Sequence, residues 1–237
     1  MQKAVQNVEI VPLGVGFYTI SEAARLLRSN PKNIARWLKG YAYRSVDGAL
    51  KRAQPLWRTQ LPGYDTNVEL GFRDLVELRF VVAFLEHGVG LNVVRRCLEN
   101  ARRILDEERP FATRKFRTDG RTIFLEALAQ EGSQAEGVVD LKNNQLAFKT
   151  VVEPTFKDLD WDGDVVARWR PYRGRSTIVI DPKRAFGAPV LAEFGIPTGA
   201  LAASARADGV ERAARLFETS VALVREAVAF ETSLMAA

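Results

Sequence analysis

The stretch that most narrows what this chain can fold into is YTISEAARLL with NPKNIARWLKG, residues 18–40. Ile20, Ala23, Ala24 and Leu27 fall at i, i+3, i+4 and i+7, one apolar helical face, with Thr19 or Ser21 placed to cap it. Arg28, Ser29 and Asn30 break the pattern, and Asn30-Pro31 offers a second N-cap with proline at the first helical position. Ile34, Trp37 and Leu38 then repeat the spacing, Lys32, Asn33, Arg36 and Lys39 occupy the other side, and Gly40 ends the run. Two short helices on a tight turn describe a helix-turn-helix. The open face of its second helix offers cations and an asparagine to phosphates and base edges.

Charge sharpens that expectation. The formal net charge is only +5, yet residues 1–60 hold ten Lys/Arg against three acids, while the remaining 177 hold 24 against 26. The basic excess therefore sits at one end, and the open face of the second helix reads as a contact for double-stranded DNA or as a solvated helix face. Residues 41–70 lack helical period and mix Tyr41, Tyr43, Arg44, Lys51, Arg52, Trp57 and Arg58 with the turn signals Asp47-Gly48 and Pro62-Gly63. That mixture predicts a β-hairpin wing whose arginines touch the DNA backbone, with Trp57 either packing or meeting a base.

From Phe72 the helical period returns in RDLVELRFVVAFLEHG, with Leu78, Val81, Val82 and Leu85 on one face, and Gly88 and Gly90 stop it. LNVVRRCLENARRIL follows with Val94, Leu98, Ala101 and Leu105 inside. Arg95, Arg96, Arg102 and Arg103 lie outside, among acids from Glu99 to Glu108, and read as a self-paired surface or a second basic patch. After Pro110, Asp119-Gly120 in KFRTDGRTIFLEA and Asn143-Asn144 in VVDLKNNQLAFK each predict a hairpin. DLDWDGD alternates acids like a calcium loop but lacks the glutamate an EF-hand needs, and reads as a solvated loop. RWRPYRGR gathers Arg168, Arg170, Arg173 and Arg175 beside Trp169 and Tyr172, either a contact for an acidic protein partner or a plain linker.

An extended run, STIVIDP, leads into three helical patterns, Leu201 to Ala207, Val210 to Phe217 and Val221 to Leu234. Residues 195–237 hold four arginines against five acids, so this trihelical unit is expected to meet protein rather than DNA. Its last helix, with Val221, Val224, Ala227, Val228 and Phe230, is too apolar for full exposure and covers either a partner or its own core. The expected fold is mainly α with a β-containing middle: a DNA-binding region at 1–110, a β-containing segment at 111–175 and a trihelical domain at 176–237.

Several classes are excluded. Cys97 is the one cysteine and His87 the one histidine, so no internal disulfide and no Cys/His zinc set exist. No apolar run reaches the roughly 18–20 residues of a membrane span, and MQKAVQNVEI lacks a basic region before an apolar block, so a soluble, cytoplasmic, nucleoid-associated protein is expected. With no P-loop, no GxGxxG after a strand and no nucleophile near His87, neither an enzyme nor a cofactor is expected. A different class stays open, a one-component regulator sensing a small molecule in a middle-segment pocket lined by Phe111, Phe116, Phe124, Phe148, Phe156, Trp161 and Trp169.

The order YTISEAARLL, NPKNIARWL and DLVELRFVVAFLEHGVGLNVVR resembles the MerR-type winged helix, with Ala35 and Arg36 standing before Trp37 where that family has an arginine followed by an aromatic. The segment IVIDPKRAFGAPVLAEFGIPTGAL with ERAARLFETSVALVREAVAFE resembles small prokaryotic antitoxin-like domains through Gly187, Pro189, Gly195, Ile196 and Pro197. Together they are similar to VapB-type antitoxins. That resemblance implies a dimeric repressor of its own operator that neutralises a PIN-like ribonuclease toxin. On this reading Lys32, Asn33, Arg36 and Lys39 meet DNA with Arg28, Arg44, Arg52 and Arg58 on the backbone, and Arg168, Arg170, Arg173 and Arg175 meet the toxin.

Overall fold

Thr19 opens the first helix with a capping box: its hydroxyl accepts the Glu22 N–H at 3.2 Å while the Glu22 carboxylate accepts the Thr19 N–H at 2.8 Å. This is α1, Ile20–Leu27, preceded by the short strand β1, Tyr18–Thr19. Arg28 turns the chain through the left-handed region at φ 52, and the Asn30 side chain caps α2, Pro31–Lys39, by accepting from Lys32 N–H at 2.9 Å. Gly40, at φ 69, is required: a Cβ there would stand 2.4 Å from the Ala53 carbonyl oxygen. The close approach lets β2, Tyr41–Arg44, start beside the end of β3, Leu50–Ala53, in an antiparallel hairpin. The computed structural model describes residues 13–45, 47–61, 67–132 and 154–235.

Strand β4, Glu69–Leu70, pairs with β1 and delivers the chain into α3, Phe72–Glu86. One apolar face was expected for this helix. Instead it is buried nearly all round, with Phe72, Leu75, Val76, Leu78, Phe80, Val81 and Phe84 at 2% exposure or less, because it is the central rod on which both halves of the molecule pack. In α4, Leu91–Leu105, Val94, Leu98, Ala101 and Leu105 point inward as their spacing predicts. A one-turn 3-10 helix at Pro110–Ala112 then leads to α5, Arg114–Gly132.

Helix α5 overturns the hairpin expected around Asp119-Gly120. Phe116, Gly120, Ile123, Phe124, Ala127 and Leu128 form a continuous buried stripe at helical spacing. Gly120 is there for close packing, since a Cβ would stand 3.0 Å from the Phe116 ring. The second expected hairpin, around Asn143-Asn144, lies outside the described residues. So does Phe148. Phe111, Phe116 and Phe124 are fully buried and pack ring to ring with Phe80, Phe84 and Phe156, as at Phe111–Phe116, 4.5 Å, and Phe80–Phe156, 4.9 Å. These rings form solid core rather than the lining of a ligand pocket.

The acidic DLDWDGD run forms a hairpin instead of a solvated loop, β5 at Leu159–Asp162 and β6 at Val165–Trp169, turning at Gly163 with φ 58. Strands β7, Ile178–Ile180, and β8, Pro189–Leu191, complete an antiparallel sheet of order β5-β6-β7-β8. Three helices close the chain: α6, Thr198–Asp208; α7, Val210–Leu216; and α8, Val221–Met235. Val224, Ala227, Phe230 and Leu234 of α8 are buried within the chain's own core, which decides between the two readings of that helix.

Bonds run across the expected divisions at 110 and 175. Arg25 in α1 donates to Glu231 in α8 at 2.9 Å, and the buried Tyr18 hydroxyl donates to the Gly187 carbonyl at 2.8 Å. Arg79 of α3 reaches the sheet, donating to Asp158 at 2.5 Å and to the Thr155 carbonyl at 2.6 Å.

Candidate nucleic-acid interface

Amphipathicity alone orients α2. Ile34, Trp37 and Leu38 are buried, which leaves Lys32, Asn33, Arg36 and Lys39 exposed along one side. Arg36 does not swing freely, because its guanidinium lies 4.1 Å from the centre of the Tyr41 ring, the first residue of the hairpin. The helix face and the hairpin are thereby fixed to one another. In the hairpin register Ala42 opposes Arg52 and Arg44 opposes Leu50. Alternation therefore puts Arg44 and Arg52 on one face, and Tyr41, Tyr43 and Lys51 on the other. The tip is tightened by Asp47, which accepts from the Ser45 hydroxyl and from Ala49 N–H; these bonds hold its carboxyl below the usual range.

Arg28 and Arg58 are exposed but stand apart from this hairpin face. Arg28 lies in the α1–α2 turn and donates to the Ser233 hydroxyl at 3.1 Å, and Arg58 follows the hairpin in a loop held from below. That hold is a buried group absent from the sequence-based expectation. The Asp74 carboxylate, fully buried, accepts from Trp57 Nε1 at 3.1 Å, Gln60 N–H at 2.7 Å, Gly71 N–H at 3.0 Å and Arg109 Nε at 2.8 Å. Arg109 also donates to the Arg58 carbonyl at 2.8 Å. Trp57 is therefore a packing residue that ties the base of the hairpin to α3. One signal was present in the sequence: Asp74 stands three residues after Gly71 and ahead of an apolar run, the spacing of a helix-start box.

Arg95 and Arg102 of α4 brace the same base, donating to the carbonyls of Pro55 at 3.3 Å and Leu56 at 2.9 Å. One turn along α3, buried Glu77 accepts from Ala112 N–H at 2.9 Å, and desolvation pushes its pKa up to about 8 against the pull of Arg102 and Arg109. Burial likewise raises the Cys97 thiol, so that residue packs and does not react. His87 caps the end of α3, its Nδ1 2.8 Å from the Ala83 carbonyl.

The RWRPYRGR arginines are mostly engaged inside the molecule. Arg168 pairs with buried Asp181 at 2.9 Å, Arg170 with Asp160 at 3.4 Å, and Arg175 with Glu226 at 3.6 Å. Arg173 lies over the Tyr172 ring at 5.6 Å. Arg168 and Arg175 nevertheless keep 50% and 60% of their side-chain surface in solvent. Among the described residues no helix is long and apolar enough to cross a membrane, and no three His, Cys, Asp or Glu side chains converge on a common point.

No family model matches the chain. Over 190 residues it is 24% identical to a Mycobacterium tuberculosis protein described as "Putative antitoxin VapB45", covering 77% of this chain and 79% of the relative. Distant homology links the chain to an antitoxin. The crystal structure of Rv2018 from Mycobacterium tuberculosis shares the fold, with a TM-score of 0.68 and 22% identity over 92% of this chain and all of that one. The match spans well over half of both chains in each comparison, so the likeness is one of whole architecture and not of a single motif.

Proposed function

We propose that this protein is the DNA-binding antitoxin of a toxin–antitoxin module, repressing its own operon as a dimer and neutralising a PIN-like ribonuclease toxin. The observation that carries the DNA half is the exposed side of α2, where Lys32, Asn33, Arg36 and Lys39 stand beside a hairpin bearing Arg44 and Arg52. In this reading α1 and α2 are a helix-turn-helix and the hairpin its wing. Helix α2 enters the major groove, Lys32, Asn33 and Arg36 meet base edges or phosphates, and Arg28, Lys39, Arg44, Arg52 and Arg58 meet the backbone. Two copies read half-sites about one helical turn apart.

Support for the toxin half is the antitoxin named among the relatives. The half-exposed Arg168 and Arg175 are the side chains of the RWRPYRGR turn best placed to meet an acidic partner, once their intramolecular pairs open.

Anisotropy titrations with the duplex upstream of the protein's own gene test the first half. Affinity falls steeply with salt, and Lys32→Ala with Arg36→Ala removes the preference over a scrambled duplex, a loss of about 1–3 kcal/mol per specific contact. Binding that is indifferent to sequence and to both substitutions overturns it. Co-expression with the adjacent reading frame tests the second: a stable complex is expected, and a neighbour that is not a small nuclease-like protein removes the toxin from the reading.

A further inference from the structure

The sequence puts the basic excess in the first 60 residues, but folding brings cations from the other end of the chain up to Arg28. A cleft of about 730 Å³ opens between the α1–α2 turn, the approach to β5, the turn after β6 and the last turns of α8. Three cations line it: Arg28, Lys157 and Arg173. Its one acidic lining residue among those described, Asp158, is already neutralised by Arg79 at 2.5 Å and bonded by Trp169 Nε1 at 3.2 Å.

Two of these cations are held in advance. Arg28 and Arg173 both occupy the left-handed region, at φ 52 and φ 53, a conformation that costs a non-glycine residue roughly 1–2 kcal/mol. Arg28 is tethered to Ser233, and Arg173 lies on Tyr172, which in turn packs edge-on against buried Phe230 at 5.6 Å. Such bracing lowers the entropy lost when a guanidinium meets an anion. All three cations are exposed at the rim of the cleft, whereas an enclosed pocket for a small anion would bury them. A long anionic chain passing across the mouth fits that arrangement. Arg28 stands three residues before Pro31, the start of α2, and on the DNA-binding reading a recognition helix points its N-terminal end at the duplex, which puts Arg28 beside the flanking phosphates.

We propose that the DNA footprint extends beyond the helix pair and hairpin onto the C-terminal half, with Lys157 and Arg173 contacting backbone phosphates beside Arg28. The inference rests on the DNA-binding reading above and moves Arg173 from the partner surface to the DNA surface.

Salt titrations of the full chain on its upstream duplex and on a scrambled duplex of equal length test it. In the double variant Lys157→Gln, Arg173→Gln the slope of log affinity against log salt becomes shallower by about 2 on both duplexes, close to 0.9 per lost phosphate contact, while the preference between duplexes and the melting temperature are unchanged. An unchanged slope overturns the extension, and an unchanged slope with a weakened toxin complex returns both residues to the partner surface. Where Lys32→Ala with Arg36→Ala abolishes the preference but the cleft variant keeps its slope, the footprint claim fails alone. Absence of any salt-dependent DNA binding by the unaltered chain ends both readings.

Discussion

The chain contains the same turn twice and uses it with opposite charge. Ala23-Ala24-Arg25-Leu26 in α1 and Ala213-Ala214-Arg215-Leu216 in α7 lead into turns with matching bonds: Ser29 N–H to the Ala24 carbonyl and Thr219 N–H to the Ala214 carbonyl, both at 2.9 Å. Each turn passes through one left-handed non-glycine residue, Arg28 at φ 52 and Glu218 at φ 50, and each next helix is capped by a side chain, Asn30 or Ser220. The positions equivalent to Lys32, Asn33, Arg36 and Lys39 are Ala222, Leu223, Glu226 and Ala229. Backbone geometry therefore does not decide what a helix pair is for. In α8 the acids Glu226 and Glu231 are spent inside the fold, on Thr177 and Arg175 and on Thr198 and Arg25, while Arg212, Arg215 and Arg225 of that pair stay exposed, as the cations of α2 do. What differs is the second helix of each pair: α2 exposes Lys32, Arg36 and Lys39 along one side, where α8 carries Ala222, Glu226 and Ala229.

That contrast can be broken at its base. The first pair and its hairpin stand on a charged floor, and Asp74→Ala would leave buried Arg109 with only the exposed Glu108 carboxylate, 3.0 Å away, as counter-charge and strip three further donors of their acceptor. A loss of about 3–5 kcal/mol is expected in chemical denaturation; a loss under 1 kcal/mol would mean the floor is not what holds the hairpin. Gly40→Ala acts on the first pair only. It forces a Cβ against the Ala53 carbonyl at positive φ, and should cost about 2–3 kcal/mol and weaken DNA binding more than salt-independent oligomerisation.

Glu77 sharpens the comparison through pH. Its folded pKa of about 8 lies above the ordinary 4.5, so the native state holds a proton that the unfolded chain releases. Its contribution to stability is complete below about pH 4.5 and drains away as pH rises to 8, at about 1.4 kcal/mol per unit within that window. Denaturation at pH 5, 6, 7 and 8 should show a slope that Glu77→Gln removes; equal slopes in both proteins would place the proton elsewhere. The smallest effect belongs to the second pair. Arg212→Ala with Arg225→Ala breaks only exposed pairs, to Asp208 at 3.7 Å and Glu211 at 3.4 Å, and should move stability by no more than about 0.5 kcal/mol and leave the DNA salt slope intact. A shallower slope would mean that the second pair reads DNA as well.

Much of the first pair was legible because its signals are local: caps one residue before each helix, a three-residue break and an apolar stripe that leaves the cations outside. The inner face of α4 was legible on the same grounds. Helix α5 was misread because Asp119-Gly120 is a turn signal only when the flanks are short, and here the stripe from Phe116 to Leu128 runs straight through it. The near-complete burial of α3 was hidden by Asp74, Glu77 and Arg79, which look like a polar face in one dimension and take most of their partners from far along the chain, Arg109, Ala112 and Asp158 standing 35, 35 and 79 positions away. The cleft cations were hidden for the same reason, since summing charge along the chain cannot register that Lys157 and Arg173 fold back to Arg28.

The bond from the Tyr18 hydroxyl to the Gly187 carbonyl has a consequence in time. Its two ends are 169 residues apart, and Phe17 N–H reaches the Phe186 carbonyl across the same gap. At roughly 5–20 residues per second of synthesis, Tyr18 leaves the ribosome some 10–30 s before its acceptor exists. The strand that launches the first helix pair is therefore latched only once synthesis has passed Gly187, about four-fifths of the way along the chain, and a molecule clipped before Gly187 is born without that latch.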